Sequence, residues 1–577
     1  MRKKHRASIM LGTLLAAAVS LISAHANAGS ALNAQHVLLI SIDGMHAVDF
    51  ANCANGLSGV NSGNPYCPHL AALAKTGVNY VASSTSKPSD SFPGLMSIMS
   101  GASPRTMGIY YDVAFDRSLN PPAQTTGNGN PGGTCTSGAT PPGTTTEYDE
   151  GIDLDQTMLN GGAPSGDGGV NSINPNYLVR DQNCNPVYPW NFVRTNTVFG
   201  VIHAAGGHTA WSDKHASYSS VGGPTGTSAD SNVNDYYGPE INSNSQNYGT
   251  SDIKVAGCNP LPDSAAVSAG DDYTGSFQNI QCYDALKVQA ILNEIDGKNH
   301  NATSRAQVPE IFGMNFQAVS IGEKLIYQHG AVAAGYSEKG GYLDSLGTPS
   351  DSLLQEIEFV DNSIGMMVSE LKKQGLYNST AIIITAKHGQ SPIDSSRYIP
   401  NGSPNDPATI LSSYLAPSEN SAIGPTEDDV ALLWLVNSAD TAAAVAALEA
   451  ASPATPIADN VAGIGEIFWG PSLSIVYNTP GLPPTGDPRT PDIIITPNIG
   501  VTYSNSKKKL AEHGGFSHDD TNVILLVSHS HLHSATISSP VQTAQVAPTI
   551  LDILKLNPNK LQAVQLEETQ VLPGLGF

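Results

Sequence analysis

Two kinds of apolar run alternate along this chain. The short ones, HVLLISI at 36–42, EIFGMNF at 310–316, AIIIT at 381–385 and NVILLV at 522–527, lack the polar residue at every second position that a half-exposed strand shows. Such runs predict strands covered on both faces, as in a parallel sheet. The longer pattern, DSLLQEIEFVDNSIGMMVSELKKQG at 351–375, puts Leu354, Ile357, Ile364 and Met367 at helical spacing and ends at Gly375, which predicts one long amphipathic helix. Strands alternating with helices predict an α/β fold with an open, mostly parallel sheet flanked by helices. Between about 116 and 275 the pattern lapses. Stretches such as TTGNGNPGGTCTSGATPPGTTT and NSNSQNYGTSD are rich in Gly, Ser, Thr, Asn and Pro, and predict a long irregular insertion. No internal repeat is visible.

The N-terminus changes where the chain is expected to act. Arg2, Lys3, Lys4 and Arg6 precede an apolar stretch that ends in Ala26-Asn27-Ala28, the layout of a secretory signal peptide over 1–28. Residues 29–577 are then the mature protein, periplasmic or extracellular. No later run reaches the ~18 apolar residues that span a bilayer, so no transmembrane anchor is expected. Losing the four basic residues moves the formal charge from −23 to −27, which argues against binding nucleic acid. The six cysteines (53, 67, 135, 184, 258, 282) contain no C-x-x-C pair. In an oxidising compartment three disulfides are expected, and pairing neighbours in sequence is the simplest of the 15 arrangements.

Candidate chemistry falls where an open α/β sheet gathers it, at the carboxyl ends of strands. Asp43-Gly44 follows HVLLISI, and Lys387-His388-Gly389 follows AIIIT after one alanine. EHGGFSHDD at 512–520 precedes NVILLV. In PSDSFPGLMSIMSG (88–101), Pro93 suits a first helical turn and Gly101 a helix stop. Ser91 then sits at or just before a helix N-terminus, either as a simple N-cap or as a hydroxyl held among free N–H groups that suit an anion. An Asp, two His and such a Ser make the set a metallohydrolase needs.

Taken in order, LLISIDG, SDSFPGLMSIMSGASPRTMGIYYD, GLYNSTAIIITAKHGQ, EHGGF and VQTAQVAPTILDIL resemble the alkaline phosphatase superfamily. The likeness is to its type I phosphodiesterase/nucleotide pyrophosphatase branch, over about 36–112 and 310–555. The resemblance implies an alkaline-phosphatase-like fold and hydrolysis of phosphodiester or pyrophosphate bonds in a small-molecule substrate. Ser91 would be the nucleophile, with one or two divalent ions, in that family zinc. Asp43 and His388 would hold one metal and His513 the other.

The chain departs from the family pattern in four places. Lys387 stands where the family has a metal-binding Asp. Val319 and Glu323 fall where the family has an Asp and a His, making Glu323 a substitute ligand for the second metal. Asp112 falls on a phosphate-binding Asn. Lys387 is therefore expected to hold a substrate oxygen and to pair with Asp112. The same apparatus would suit sulfate or phosphonate esters, or the fold could be kept as a binding protein without turnover.

Two further groups stay open. His529, His531 and His533 would project to one side if their strand continues. His518, Asp519 and Asp520 are either extra ligands or an acidic helix cap. Asn301 and Asn378 head N-x-S/T sequons. The oligomeric state is left open.

Overall fold

HVLLISI forms the strand His36–Ile42 at the centre of an eight-stranded sheet. The computed structural model describes residues 32, 34–127, 129–148, 170, 173–225, 232–241, 253–270, 273–326, 329–418, 426–451 and 463–576; the expected signal peptide lies outside them. From edge to edge the strands are Ala535–Ile537, Gly77–Tyr80, Leu526–Ser528, Thr380–Thr385, His36–Ile42, Ile311–Phe316, Ala210–Ser212 and Asp235–Tyr237. The central strand pairs in parallel with both neighbours, Ile40 lying opposite Met314 on one side and Ile384 on the other.

Successive side chains of a strand point to opposite faces, and both faces here are covered. Leu38, Ile40 and Ile42 pack with Phe312, Met314, Ile382 and Ile384 against the helix Asp351–Lys373, through Leu353, Ile357, Ile364 and Met367. Val37 and Leu39 face the helices Ser91–Ser100 and Val546–Ile553. Each such side chain contributes ~1.5–3 kcal/mol when fully buried, which is why these strands tolerate no polar alternation. The long helix is capped by Ser350, whose side chain accepts from Leu353 N, and Gly375 beyond it has φ +75°. Among the described residues no helix is long and apolar enough to cross a membrane.

Three features differ from the sequence reading. NVILLV yields only Leu526–Ser528, antiparallel to both neighbours. Val523–Leu525 are buried too, but Ile524 N donates to Met45 O and Leu525 O accepts from Tyr80 N; an apolar run reports burial, not ladder pairing. The segment read as irregular supplies two strands of the main sheet, Ala210–Ser212 and Asp235–Tyr237, and the helix Val198–Ala204. With three residues each, those strands leave almost no trace in composition. A separate four-stranded antiparallel sheet is built in the C-terminal third from Thr426–Glu427, Ala431–Leu433, Ile493–Pro497 and Ile464–Trp469. Disulfides join Cys53–Cys67, Cys135–Cys184 and Cys258–Cys282, the neighbour pairing expected.

Candidate active site

Four neighbouring parallel strands end at one place. Asp43 leaves the first, its N–H donating to Phe316 O. Asn315 and Gln317 end the second, Lys387 and His388 follow the third, and Asp213 and Lys214 follow Ala210–Ser212. The helix Ser91–Ser100 lies against these ends. Gly94, one turn into it, permits the approach, since a Cβ there would overlap the carbonyl of Lys387.

Ser91 is the first residue of that helix and fully buried. The cap is Asp90, whose Oδ2 accepts from Phe92 N at 3.3 Å. Ser91 is thereby excused from capping, and its hydroxyl faces other partners. His388 Nε2 lies 3.1 Å from Ser91 Oγ, and Lys214 Nζ donates to the same oxygen at 2.9 Å. His388 Nδ1 sits 2.9 Å from the carbonyl of Gly389, which assigns the ring proton to Nδ1 and leaves Nε2 to accept from the serine. Burial holds the His388 pKa below the ordinary imidazole value against the pull of Asp43.

Asp43 is fully buried, with Oδ1 accepting from Asn315 Nδ2 at 2.7 Å and Oδ2 from Gln317 Nε2 at 2.6 Å. Its Oδ2 also lies 3.8 Å from Lys214 Nζ and 3.7 Å from His388 Nε2. Burial alone would raise its pKa, but Lys387, His388 and Lys214 outweigh that and hold it well below the ordinary carboxylate value. Lys214 goes the other way. Burial opposes its charge, and Asp43, Asp112, Asp213 and Asp90 together raise its pKa, so it stays an ammonium.

Lys387 does not pair with Asp112, contrary to expectation. Its Nζ donates to Asp213 Oδ1 at 2.8 Å, with both side chains fully buried and the ammonium 4.5 Å from the centre of the Tyr218 ring. Asp112 sits on the other flank of Ser91, where its N–H donates to Asp90 Oδ2 at 3.0 Å, and its charge bears on Lys214. Asp213 and Lys214 were not foreseen. The signal was present in TAWSDKH, a short apolar run followed by charged residues like the other strand ends, but it lies inside polar, glycine-rich sequence.

The His513 ring meets His388 at a tilt of 60° with ring centres 4.0 Å apart, and its Nδ1 lies 3.9 Å from Asp90 Oδ1. Glu323 keeps other company. Its Oε1 accepts from Tyr342 OH at 2.7 Å and lies 3.4 Å from His46 Nδ1, while Asp49 Oδ2 is 2.9 Å from the same nitrogen. Gly44 has φ +88°, and a Cβ there would overlap the Glu323 carboxylate. Val319 is buried in the apolar core and offers no donor. His529–His533 share no strand face, because the strand ends at Ser528 and the chain turns at Ser530 and His531. Of the acidic group, Asp520 closes a capping box with Ser517, and Asp519 Oδ2 accepts from Ile393 N.

A metal centre of the expected kind does not fit the side of the site that holds Ser91. Both Asp43 oxygens are engaged by amides, an ammonium lies between Asp43 and Ser91, and the third ligand position is a lysine turned toward Asp213. Among the described residues, the one grouping of three His, Cys, Asp or Glu ligands with converging atoms is His46, Asp49 and Glu323, and it is already closed by hydrogen bonds to Tyr342.

The family model described as type I phosphodiesterase / nucleotide pyrophosphatase matches residues 37–199 and 229–520. Of solved structures, murine ectonucleotide pyrophosphatase / phosphodiesterase 5 aligns with a TM-score of 0.50 at 14% identity, covering 91% of this chain and 96% of that one. The alkaline phosphatase PafA aligns with a TM-score of 0.49 at 12% identity, over 91% and 96%. No curated protein matches the chain. At such identities the murine structure speaks for the fold, which is alkaline-phosphatase-like, as expected from the sequence.

Proposed function

Because the chain belongs to the type I phosphodiesterase/nucleotide pyrophosphatase family, and so is a phosphoric ester hydrolase, we propose that it cleaves phosphodiester or pyrophosphate bonds with Ser91 as the nucleophile. The observation that carries this is the placement of Ser91 Oγ 3.1 Å from an acceptor nitrogen of His388, at the N-terminus of a ten-residue helix. His388 Nε2 takes the hydroxyl proton as Ser91 Oγ attacks phosphorus, and returns it to Ser91 Oγ when water releases the phosphoryl group. Asp43 stays ionised and steadies the imidazolium that forms. The helix Ser91–Ser100 sets the positive end of its dipole at Ser91. Relatives in the superfamily depend on divalent metals. The donor set around Ser91 does not fit one, and no step is routed through a metal. Three disulfides support export of the mature chain.

Ser91→Ala tests the reading. With bis(4-nitrophenyl) phosphate as substrate, turnover should fall by at least ~10³-fold. Stability should hold, since Asp90 keeps the cap. An alanine variant with wild-type turnover would remove Ser91 from the reaction.

A further inference from the structure

Lys214 sits where three donors meet. Its ammonium is 2.9 Å from Ser91 Oγ and 3.8 Å from Asp43 Oδ2, and His388 closes the same space from the far side of both. Asp43 and His388 are the side chains that the family resemblance assigns to one metal, beside Ser91 as the nucleophile. We propose that the Lys214 ammonium is the resident cation of this centre, a catalytic residue that replaces the metal at the nucleophile and lets the serine chemistry run metal-free. The proposal rests on Ser91 being the nucleophile.

The placement of Lys214 is built in from behind. Asp213 Oδ1 accepts from the Lys214 backbone N–H at 2.9 Å and from Lys387 Nζ at 2.8 Å, while its Oδ2 accepts from the Trp211 indole at 2.9 Å. One buried carboxylate thus ties the end of strand Ala210–Ser212 to the end of strand Thr380–Thr385. Lys387 and Lys214 are then two halves of one change. The lysine in the place of a family carboxylate fastens Asp213, and Asp213 fixes the backbone from which Lys214 reaches the serine. Lys387 is a positioning residue and Lys214 the working charge.

The chemistry balances without a metal. Ser91 Oγ forms a bond to phosphorus as its proton passes to His388 Nε2. The bond from phosphorus to the leaving oxygen breaks on the side opposite Oγ, and that oxygen takes a proton from solvent. Water then attacks the phosphoserine from that side and loses a proton to solvent, while His388 returns its proton to Ser91 Oγ as the Oγ–P bond breaks. The ammonium faces Ser91 Oγ, which carries negative charge as it gives up its proton and again as the Oγ–P bond breaks. A single positive charge beside Asp43 and Asp90 also suits a monoanionic ester, such as a phosphodiester, better than the dianion of a phosphomonoester.

The test uses the mature full-length protein, stripped with a chelator and checked by elemental analysis. Stripped protein should keep its turnover of bis(4-nitrophenyl) phosphate within about twofold, exceed its turnover of 4-nitrophenyl phosphate, and show no rise in Tm on adding zinc. Lys214→Met should lose ~10²–10³-fold, on the scale of removing one oxyanion donor, and Lys214→Arg should recover part of it. Lys387→Met should also lose turnover, with partial rescue by Lys387→Arg. Full activity in Lys214→Met overturns the proposal. So does a wild type that is dead when stripped and revived by zinc, an outcome that leaves the Ser91 reading standing. A wild type inert toward every ester, with and without metal, overturns both.

Discussion

The two sides of the site solve the same electrostatic difficulty differently. Around Ser91, Asp43 is matched by Asn315, Gln317 and Lys214, and Asp213 by Lys387 and Trp211, while burial pushes the Asp90 carboxyl up to about 6. Beyond His513 and Glu323, buried acids crowd one another and hold protons instead. Burial pushes the Glu323 carboxyl up to about 7, even against the pull of His46 and Tyr342. On the same flank, Asp429, whose N–H donates to His513 O, is raised well above the ordinary range by burial and by Asp520. Strand ends fix a polar group to within a fraction of an ångström, so charges there can be paired permanently. Beside Val319, which offers no ligand atom, protons neutralise the buried acids.

The sharpest probe of this contrast is His388→Gln, which removes the acceptor facing Ser91 while keeping a side chain of similar reach. Diester turnover should drop by ~10²–10⁴-fold, the usual contribution of a positioned base. A loss under tenfold would show that the serine is activated from elsewhere.

Glu323→Gln applies the same chemistry to the other side. The carboxyl is already close to half protonated at neutral pH, and an amide keeps its acceptor for Tyr342. Turnover should stay within ~threefold, with a stability cost of ~1–3 kcal/mol from a weakened buried partner for His46. A collapse of activity to the level of His388→Gln would erase the distinction between the two sides.

The smallest effect is expected from Asp429→Asn, read as Tm against pH. The folded pKa of Asp429 lies above its unfolded value of ~3.9, so folding takes up a proton there. That stabilisation is complete below ~3.9 and is lost as pH rises through the folded value. Asparagine can still accept from Ser391 and donate to Asp520 without titrating. The Tm difference, variant minus wild type, should therefore be larger at pH 9 than at pH 5. A difference that does not change with pH would mean that Asp429 holds no proton in the fold.

How much of this was legible depends on how local the signal was. Asp43 and His388 could be found because each follows a long apolar run, and Ser91 because Pro93 and Gly101 frame its helix; all three meet at one point. The cysteine pairs followed from adjacency in sequence. Lys214 was missed because its strand has three residues and lies in glycine-rich sequence, where neither period nor composition marks it. Asp112 was assigned to Lys387 because both were unexplained charges near the same serine. The sheet instead puts Asp213 at the neighbouring strand end, at hydrogen-bonding distance.

By itself the sequence determined the buried strands, the long helix and which of their ends carry chemistry, because hydrophobic burial acts through patterns a few residues long. Only the tertiary structure decided what each charge faces. A buried ammonium needs a carboxylate nearby, and Asp213 at 2.8 Å from Lys387 and Asp43 at 3.8 Å from Lys214 each come from a strand far away in the chain. No local pattern encodes that distance. The order of strands across the sheet does, and it sets Lys387 and Lys214 beside Asp213, Asp43 and Ser91.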